Sequence, residues 1–579
     1  MQTSPTVVPR SAKGRFRVAV AVLLVALVSS LAAAGANAAV DAKPKPKAKK
    51  ALVKPKYKKK PKVKGHVRHR VLTVIGTGRS ETIVLRLKAG KPHRLQVDVG
   101  NNGSAEWEFN RNRFNRIFVF ALGGDDRVLI DETNGIFTDT EATSLSGDSG
   151  NDELRGGSGP ERFFGGADKD AVDGNRGNDL AYLGAGDDSF TWDPGDGSDV
   201  VEGQSGTDAM LFNGSSGAER FEASAVGPRV RFTRDLGNIV MNLDDVERIS
   251  TEALGGADTA VVNDLSGTDL KTAEFDLEAA IGGSAGDGAA DTVTVRGTNG
   301  NDSVAIAANA GAVDVTGLPA AVKIEHSEAA NDSLLVETLA GNDTVNGGVG
   351  VAALIKVTID GGTGNDTING TDASERLLGG DGNDAVDGNR GDDVGFLGEG
   401  NDSFRWDPGD GSDTIEGQAG ADTMLFNGAG IAEDFDVSAN GGRVRFFRNI
   451  ANITMDLNDV ESILTEALSG KDNAVVHDMS GTDLKNVEFD LEAAIGGNAG
   501  DGEADTVTVE GTNAPDTMAV AANAGGVDVT GLAAAVRIEH SEVANDLLKV
   551  STLAGNDDVA IGGGVAGLIQ TLVDLGADE

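Results

Sequence analysis

Cysteine is absent, and aromatic residues make up 4% of the 579-residue chain. The first absence excludes disulfides and thiolate metal sites. The second excludes ordinary globular cores at this length, because aromatic side chains normally supply much of their buried area. A stacked repeat needs only a thin ladder of Val, Leu and Ile, so one continuous repeat array accounts for the deficit. Proline is also scarce, at 13 residues, so the 81 glycines do not signal a collagen-like chain. H-E-x-x-H does not occur, and no unassigned segment is long enough for a separate catalytic domain. No enzymatic activity is therefore expected.

What the chain does contain is acid at a fixed beat. Between Gly147 and Leu211 an acidic residue recurs every nine residues, at Asp152, Glu161, Asp170, Asp179 and Asp188. After a two-residue insertion, Trp192-Asp193, the beat resumes at Asp199 and Asp208. Glycines keep the same time, as in Gly156-Gly157-Ser158-Gly159 and Gly165-Gly166-Ala167-Asp168. Two residues after each acid stands a residue expected to point inward: Leu154, Phe163, Val172, Ala181, Phe190, Val201 and Met210. The unit is the nonapeptide G-G-x-G-x-D-x-U-x, with U large and apolar. Paired glycines permit positive φ and a tight turn. The acid closes the turn, and x-U-x is a short strand with U buried. Two nonads then make one coil, which stacks Asp152, Asp170, Asp188 and Asp208 along one edge and Glu161, Asp179 and Asp199 along the other. Calcium takes about six to eight hard oxygens and needs neither His nor Cys. A bare ladder of carboxylates repels itself, so the ion is expected to be part of the fold.

The whole pattern occurs twice. Shifted by 214 residues, the chain matches itself without a gap: Trp192 to Asp199 returns as Trp406 to Asp413, and Phe275 to Gly283 as Phe489 to Gly497. The second ladder is Asp366, Glu375, Asp384, Asp393, Asp402, Asp413 and Asp422. The units span about 145–358 and 359–572, with nonad blocks at 147–211 and 361–425, and residues 573–579 align with the start of a third copy. The rest of each unit carries degenerate turn–strand signals, such as Ala257-Asp258-Thr259, Ala290-Asp291-Thr292, Asn301-Asp302-Ser303 and Asn342-Asp343-Thr344. Their irregular spacing, from about eleven to forty residues, implies longer coils of the same solenoid with fewer ions.

On these motifs the chain resembles the secreted bacterial calcium-binding proteins with RTX (hemolysin-type) repeats. The resemblance implies an all-β, right-handed parallel β-roll or β-helix with calcium between successive turns, held by repeat aspartates and glycine-loop carbonyls. It assigns the ligand role to Asp152, Asp170, Asp179, Asp188, Asp199 and Asp208, and to Asp366, Asp384, Asp393, Asp402, Asp413 and Asp422. Glu161 and Glu375 depart from the motif, and Leu183 and Leu397 replace a first glycine, which implies looser turns there.

The ends carry other signals. Residues 1–38 read as a signal peptide: Arg10, Lys13, Arg15 and Arg17 precede the apolar run Val18 to Val28, and Ala36-Asn37-Ala38 is a cleavage site. A secreted or envelope-associated protein is expected. Residues 39–70 read as a disordered Lys/Pro-rich linker with 14 Lys and Arg between 43 and 70, against a chain net charge of −41. Such a tail suits an anionic envelope polymer or membrane surface. Nucleic acid is excluded, since only Tyr57 interleaves the basic run and the compartment is wrong. Residues 71–144 read as a β-rich cap that blocks edge pairing.

Two motifs fall outside the nonads. Ile324-Glu325-His326-Ser327-Glu328 recurs in register at Ile538 to Glu542, either a polar corner or a shared acid/base or metal site. Trp192 and Trp406 are either structural wedges at the insertion or stacking platforms for a sugar ring. The alternative functions are accordingly an adhesive or carbohydrate-active, lyase-like β-helix that binds polysaccharide, and a surface-layer or matrix component.

Overall fold

The computed structural model describes residues 62–576, so the segment read as a signal peptide, the one read as a basic linker up to residue 61, and residues 577–579 of the stretch read as the start of a third copy lie outside the described residues. The described chain is all β: 48 strands and five short 3-10 turns, with no α-helix. It winds alternately through two facing sheets of 24 strands each. The first sheet runs from an edge strand at Lys64–Arg68 to Gln570–Asp574, the second from Trp107–Asn110 to Asp558–Ile561, and neither closes on itself.

The coil length read from the acids is the coil length observed. In the nonad blocks the strands pair in parallel at a register of 18 residues, Phe163 with Ala181 in the first sheet and Val172 with Phe190 in the second. The register widens to 20 across the Trp-Asp insertion, Phe190 pairing with Met210. Every U residue faces the core: Leu154, Phe163, Ala181, Phe190, Val201 and Met210 are 0% exposed. The core is one continuous apolar cluster between the sheets, from Val63 to Ile569.

The longer coils have a cause that spacing did not suggest. Each unit inserts two antiparallel excursions into the parallel ladder. In the first sheet, Arg220–Val226, Arg229–Arg234 and Ile239–Asp244 fold as a meander between Val200–Ser205 and Thr259–Val262. In the second, Ser303–Asn309, Ala312–Thr316 and Ala321–Glu325 do the same between Thr272–Asp276 and Thr344–Gly347. Both recur at +214, starting at Asp434–Asn440 and Thr517–Asn523. Parallel stacking resumes on either side, so the excursions lengthen coils without breaking the solenoid.

Segment 71–144 is itself built of coils. Val71–Gly78, Arg116–Gly123 and Ala142–Ser149 pair in parallel and lead straight into the first nonad strand. Within the segment 39–70 read as a disordered linker, Lys64–Arg68 instead forms an antiparallel edge strand on Val71–Gly78. Lys64, His66 and Arg68 alternate along it, and charged residues on an edge discourage pairing with a second chain.

Trp192 and Trp406 are wedges. Both are 0% exposed. Each stacks at 4.1 Å on the phenylalanine of the next coil, Phe212 or Phe426, and donates its indole N–H to Gly197 O or Gly411 O at 2.8 Å. A buried ring offers no face to a saccharide. Trp192→Ala is expected to cost about 3–5 kcal/mol, the usual price of emptying a large aromatic site, measured by denaturant unfolding in saturating calcium.

Candidate metal centre

The acids stand in columns along the two edges of the solenoid. All twelve aspartates singled out from sequence are buried, at 0–2% exposure. In each, Oδ1 accepts the backbone N–H of the acid one coil earlier. Asp126 donates to Asp152, Asp152 to Asp170, Asp170 to Asp188 and Asp188 to Asp208, at 2.7, 2.8, 2.7 and 2.9 Å. On the other edge Glu161 donates to Asp179 and Asp179 to Asp199, at 2.6 and 2.7 Å. The second unit repeats the arrangement from Asp343 through Asp366, Asp384 and Asp402 to Asp422, and from Glu375 through Asp393 to Asp413.

The second carboxylate oxygen has a different fate. In eleven of the twelve, all but Asp413, Oδ2 is buried and has no hydrogen-bond partner. It occupies the space that a side chain on the first glycine of the nonad would fill. A Cβ on Gly165 would lie 2.2 Å from Leu183 O and 2.6 Å from Asp170 Oδ2, and one on Gly361 2.6 Å from Gly379 O and 2.7 Å from Asp366 Oδ2. The two glycines thus have separate reasons. At Gly165 and Gly361 the first has no room for a Cβ, and the second, Gly166, takes a left-handed φ of 129°. Orphaned carboxylate oxygens beside backbone carbonyl oxygens, without nitrogen or sulfur donors, fit a hard cation such as calcium.

Burial raises the affinity of these carboxylates for protons, and neighbouring carboxylates add to the rise. Asp170 is pushed up to about 8, Asp179 and Asp393 to about 9, and Asp208 and Asp413 to about 7.

Glu161 and Glu375 begin columns. With no N–H offered from a preceding acid, each reaches back into its own turn, accepting from Gly157 N–H at 2.8 Å or Thr371 N–H at 3.0 Å. Leu183 and Leu397 do not loosen their turns. Both side chains enter the core at 0% exposure, and Asp188 and Asp402 still accept their N–H at 2.7 and 2.8 Å.

The columns also run beyond the nonads. Glu81, Asp126 and Glu247 extend the first one at its two ends. Asp302 and Asp343 precede Asp366, Glu461 follows Asp422, and Glu219, Asp258, Asp291 and Asp332 form a further column. The signal for them was the small-Asp-Thr-Val strand start, obscured by the excursions between.

The family model for the RTX calcium-binding nonapeptide repeat matches residues 140–172, 164–191, 336–351, 358–372, 369–404 and 409–428. The chain carries RTX calcium-binding repeats. One matched RTX segment, 336–351, contains Asp343 and so reaches into the irregular half of the unit. No curated protein matches the chain. Among solved structures, the extracellular lipase LipA from Serratia marcescens is similar at 15% identity and a TM-score of 0.18, over 55% of this chain and 43% of that one. The likeness thus spans less than half of the lipase.

Two outcomes follow from the RTX columns. Gly165→Ala is expected to lower stability by about 1–3 kcal/mol through overpacking, whereas Gly78→Ala, with nothing within 4 Å, should stay within about 0.5 kcal/mol; calcium-saturated unfolding measures both. The folded-state pKa values lie above the unfolded aspartate value of about 3.9. Their stabilisation of the calcium-free protein is therefore full below about pH 4 and lost as pH rises through the folded values of about 6 to 9. In chelator, strand signal should therefore persist below about pH 4 and be lost as pH rises over that window, and circular dichroism reads it.

Proposed function

We propose that this RTX protein is a non-enzymatic, secreted or envelope-associated calcium binder whose nonad blocks fold as they take up the ion. The ligands assigned are Asp152, Asp170, Asp179, Asp188, Asp199 and Asp208 in the first unit and Asp366, Asp384, Asp393, Asp402, Asp413 and Asp422 in the second. The eleven buried, unpartnered Oδ2 atoms carry the reading. A desolvated carboxylate without a partner costs several kcal/mol, and a chain that stacks them needs compensating positive charge. Bound calcium supplies that charge, and because the columns exist only in the coiled state, binding energy becomes folding energy.

Secretion rests on the signal peptide read at residues 1–38 and on the absence of cysteine, which leaves calcium as the available staple outside the cell, where the ion is plentiful. The basic stretch 43–70 is assigned to an anionic envelope surface. The carbohydrate alternative loses its sequence support with the burial of Trp192 and Trp406.

Circular dichroism of the mature chain in excess chelator and in millimolar calcium tests the coupling. Strand signal should be lost in chelator and restored by calcium; an identical spectrum in both would refute coupled folding. In isothermal titration, Asp170→Asn combined with Asp384→Asn should lower the calcium stoichiometry, while a parent with no calcium uptake at all would remove the function itself.

A further inference from the structure

One cluster of ionisable side chains belongs to neither column. It sits where three successive coils end their strands in the second sheet. Strand register places Glu252 opposite Asp276 and Asp276 opposite Glu325, the last residues of Arg248–Glu252, Thr272–Asp276 and Ala321–Glu325. His326 follows at a left-handed φ of 54°, and its Nδ1 lies 2.6 Å from Asp276 Oδ1. Glu278, two residues beyond Asp276, donates its backbone N–H to the same Oδ1 at 3.1 Å. One ligand atom from each of Asp276, Glu278 and His326 lies within 4.8 Å of the others.

Beyond the His326 imidazole, the cluster lacks compensating charge. Glu278 is 1% exposed, and its Oε1 is buried with no hydrogen-bond partner, as is Glu252 Oε2. Among the described residues no Lys or Arg forms a salt bridge with Glu252, Asp276 or Glu278; the nearby Lys323 is engaged by Glu274 and Glu325. The second unit rebuilds the cluster. His540 Nδ1 is 2.6 Å from Asp490 Oδ1 and 4.0 Å from Glu492 Oε2, Glu492 is 1% exposed, and Glu492 Oε1 and Glu466 Oε2 are again unpartnered.

The donor chemistry differs from that of the nonads. There is no glycine cradle of carbonyls, and an imidazole nitrogen joins the carboxylates. Calcium takes oxygen ligands, whereas a mixed set of imidazole and carboxylate suits zinc and its first-row neighbours. We propose that Glu252, Asp276, Glu278 and His326, with Glu466, Asp490, Glu492 and His540, form a second class of cation site, one per unit, for a divalent ion of the zinc type. Each site joins three coils at the point where the antiparallel excursion of Ser303 to Glu325 returns to the ladder. A metal there clamps the excursion to the parallel strands, independently of the calcium columns.

The test is zinc titration of the full chain in saturating calcium, by calorimetry. His326→Ala should remove one equivalent of zinc relative to the parent, and His326→Ala with His540→Ala two, with calcium stoichiometry unchanged. Glu278→Gln with Glu492→Gln keeps shape and should weaken those two equivalents at least tenfold. Cobalt(II) in place of zinc should give visible absorption bands that the double histidine variant lacks. A parent that takes up no zinc in calcium, or variants that bind as the parent does, would overturn the proposal and leave the histidines as ion-paired corners. Failure of calcium-coupled folding would leave this result readable, since the assay is run on the calcium-loaded chain.

Discussion

A carboxylate that accepts the first backbone N–H of the strand one coil away sets the register of the whole solenoid. Strand-initiating N–H groups sit at turns and need a partner once buried. An aspartate at the same place on the next coil supplies it, and its short side chain suits the ~4.8 Å between neighbouring strands. Glutamate is found where that geometry changes. Glu161, Glu219, Glu375 and Glu433 start columns and accept from N–H groups four residues back in their own turns. Glu247 and Glu461 end columns and reach across a shifted coil to Asp208 and Asp422. Asparagines running from the first unit into the second form a parallel ladder, Asn342 to Asn365 to Asn383 to Asn401, each oxygen accepting the N–H one coil on.

The same device leaves carboxylate oxygens without partners. One oxygen of each carboxylate is used for register; the other is left buried among carbonyl oxygens, and columns of like charge accumulate along both edges. Apolar stacking between the sheets opposes this cost but cannot neutralise it. Where the nonad keeps both glycines they belong to the same compromise, since the first, as at Gly165, lies against the orphaned oxygen and the second makes the turn.

Much of this was legible in one dimension. The nine-residue acid beat, the inward residue two places later and the 214-residue repeat correspond to the observed stack, core and duplication. Three features were not. The columns continue through Asp258, Asp291, Asp302 and Asp343, but long connections after Val262 and Asp276 separate Asp258 from Asp291 by 33 residues, the excursion of Ser303 to Glu325 separates later acids by 41, and the period is hidden. Leu183 and Leu397 look like faults in the turn, yet the position faces the core and accepts a side chain. Segment 71–144 reads as a separate cap because its spacing is irregular, while its strands pair in register with the coils that follow.

The sequence alone determined which residues face inward, which acids share an edge and how long a nonad coil is, because a two-sheet solenoid converts each of these into fixed spacing. Only the tertiary structure decided which carboxylate oxygens are left without partners, where glutamate caps a column, and that Glu252, Asp276, Glu278 and His326 meet. The last depends on strands brought together from 24 to 49 residues apart, and no local period records a contact made across coils of unequal length.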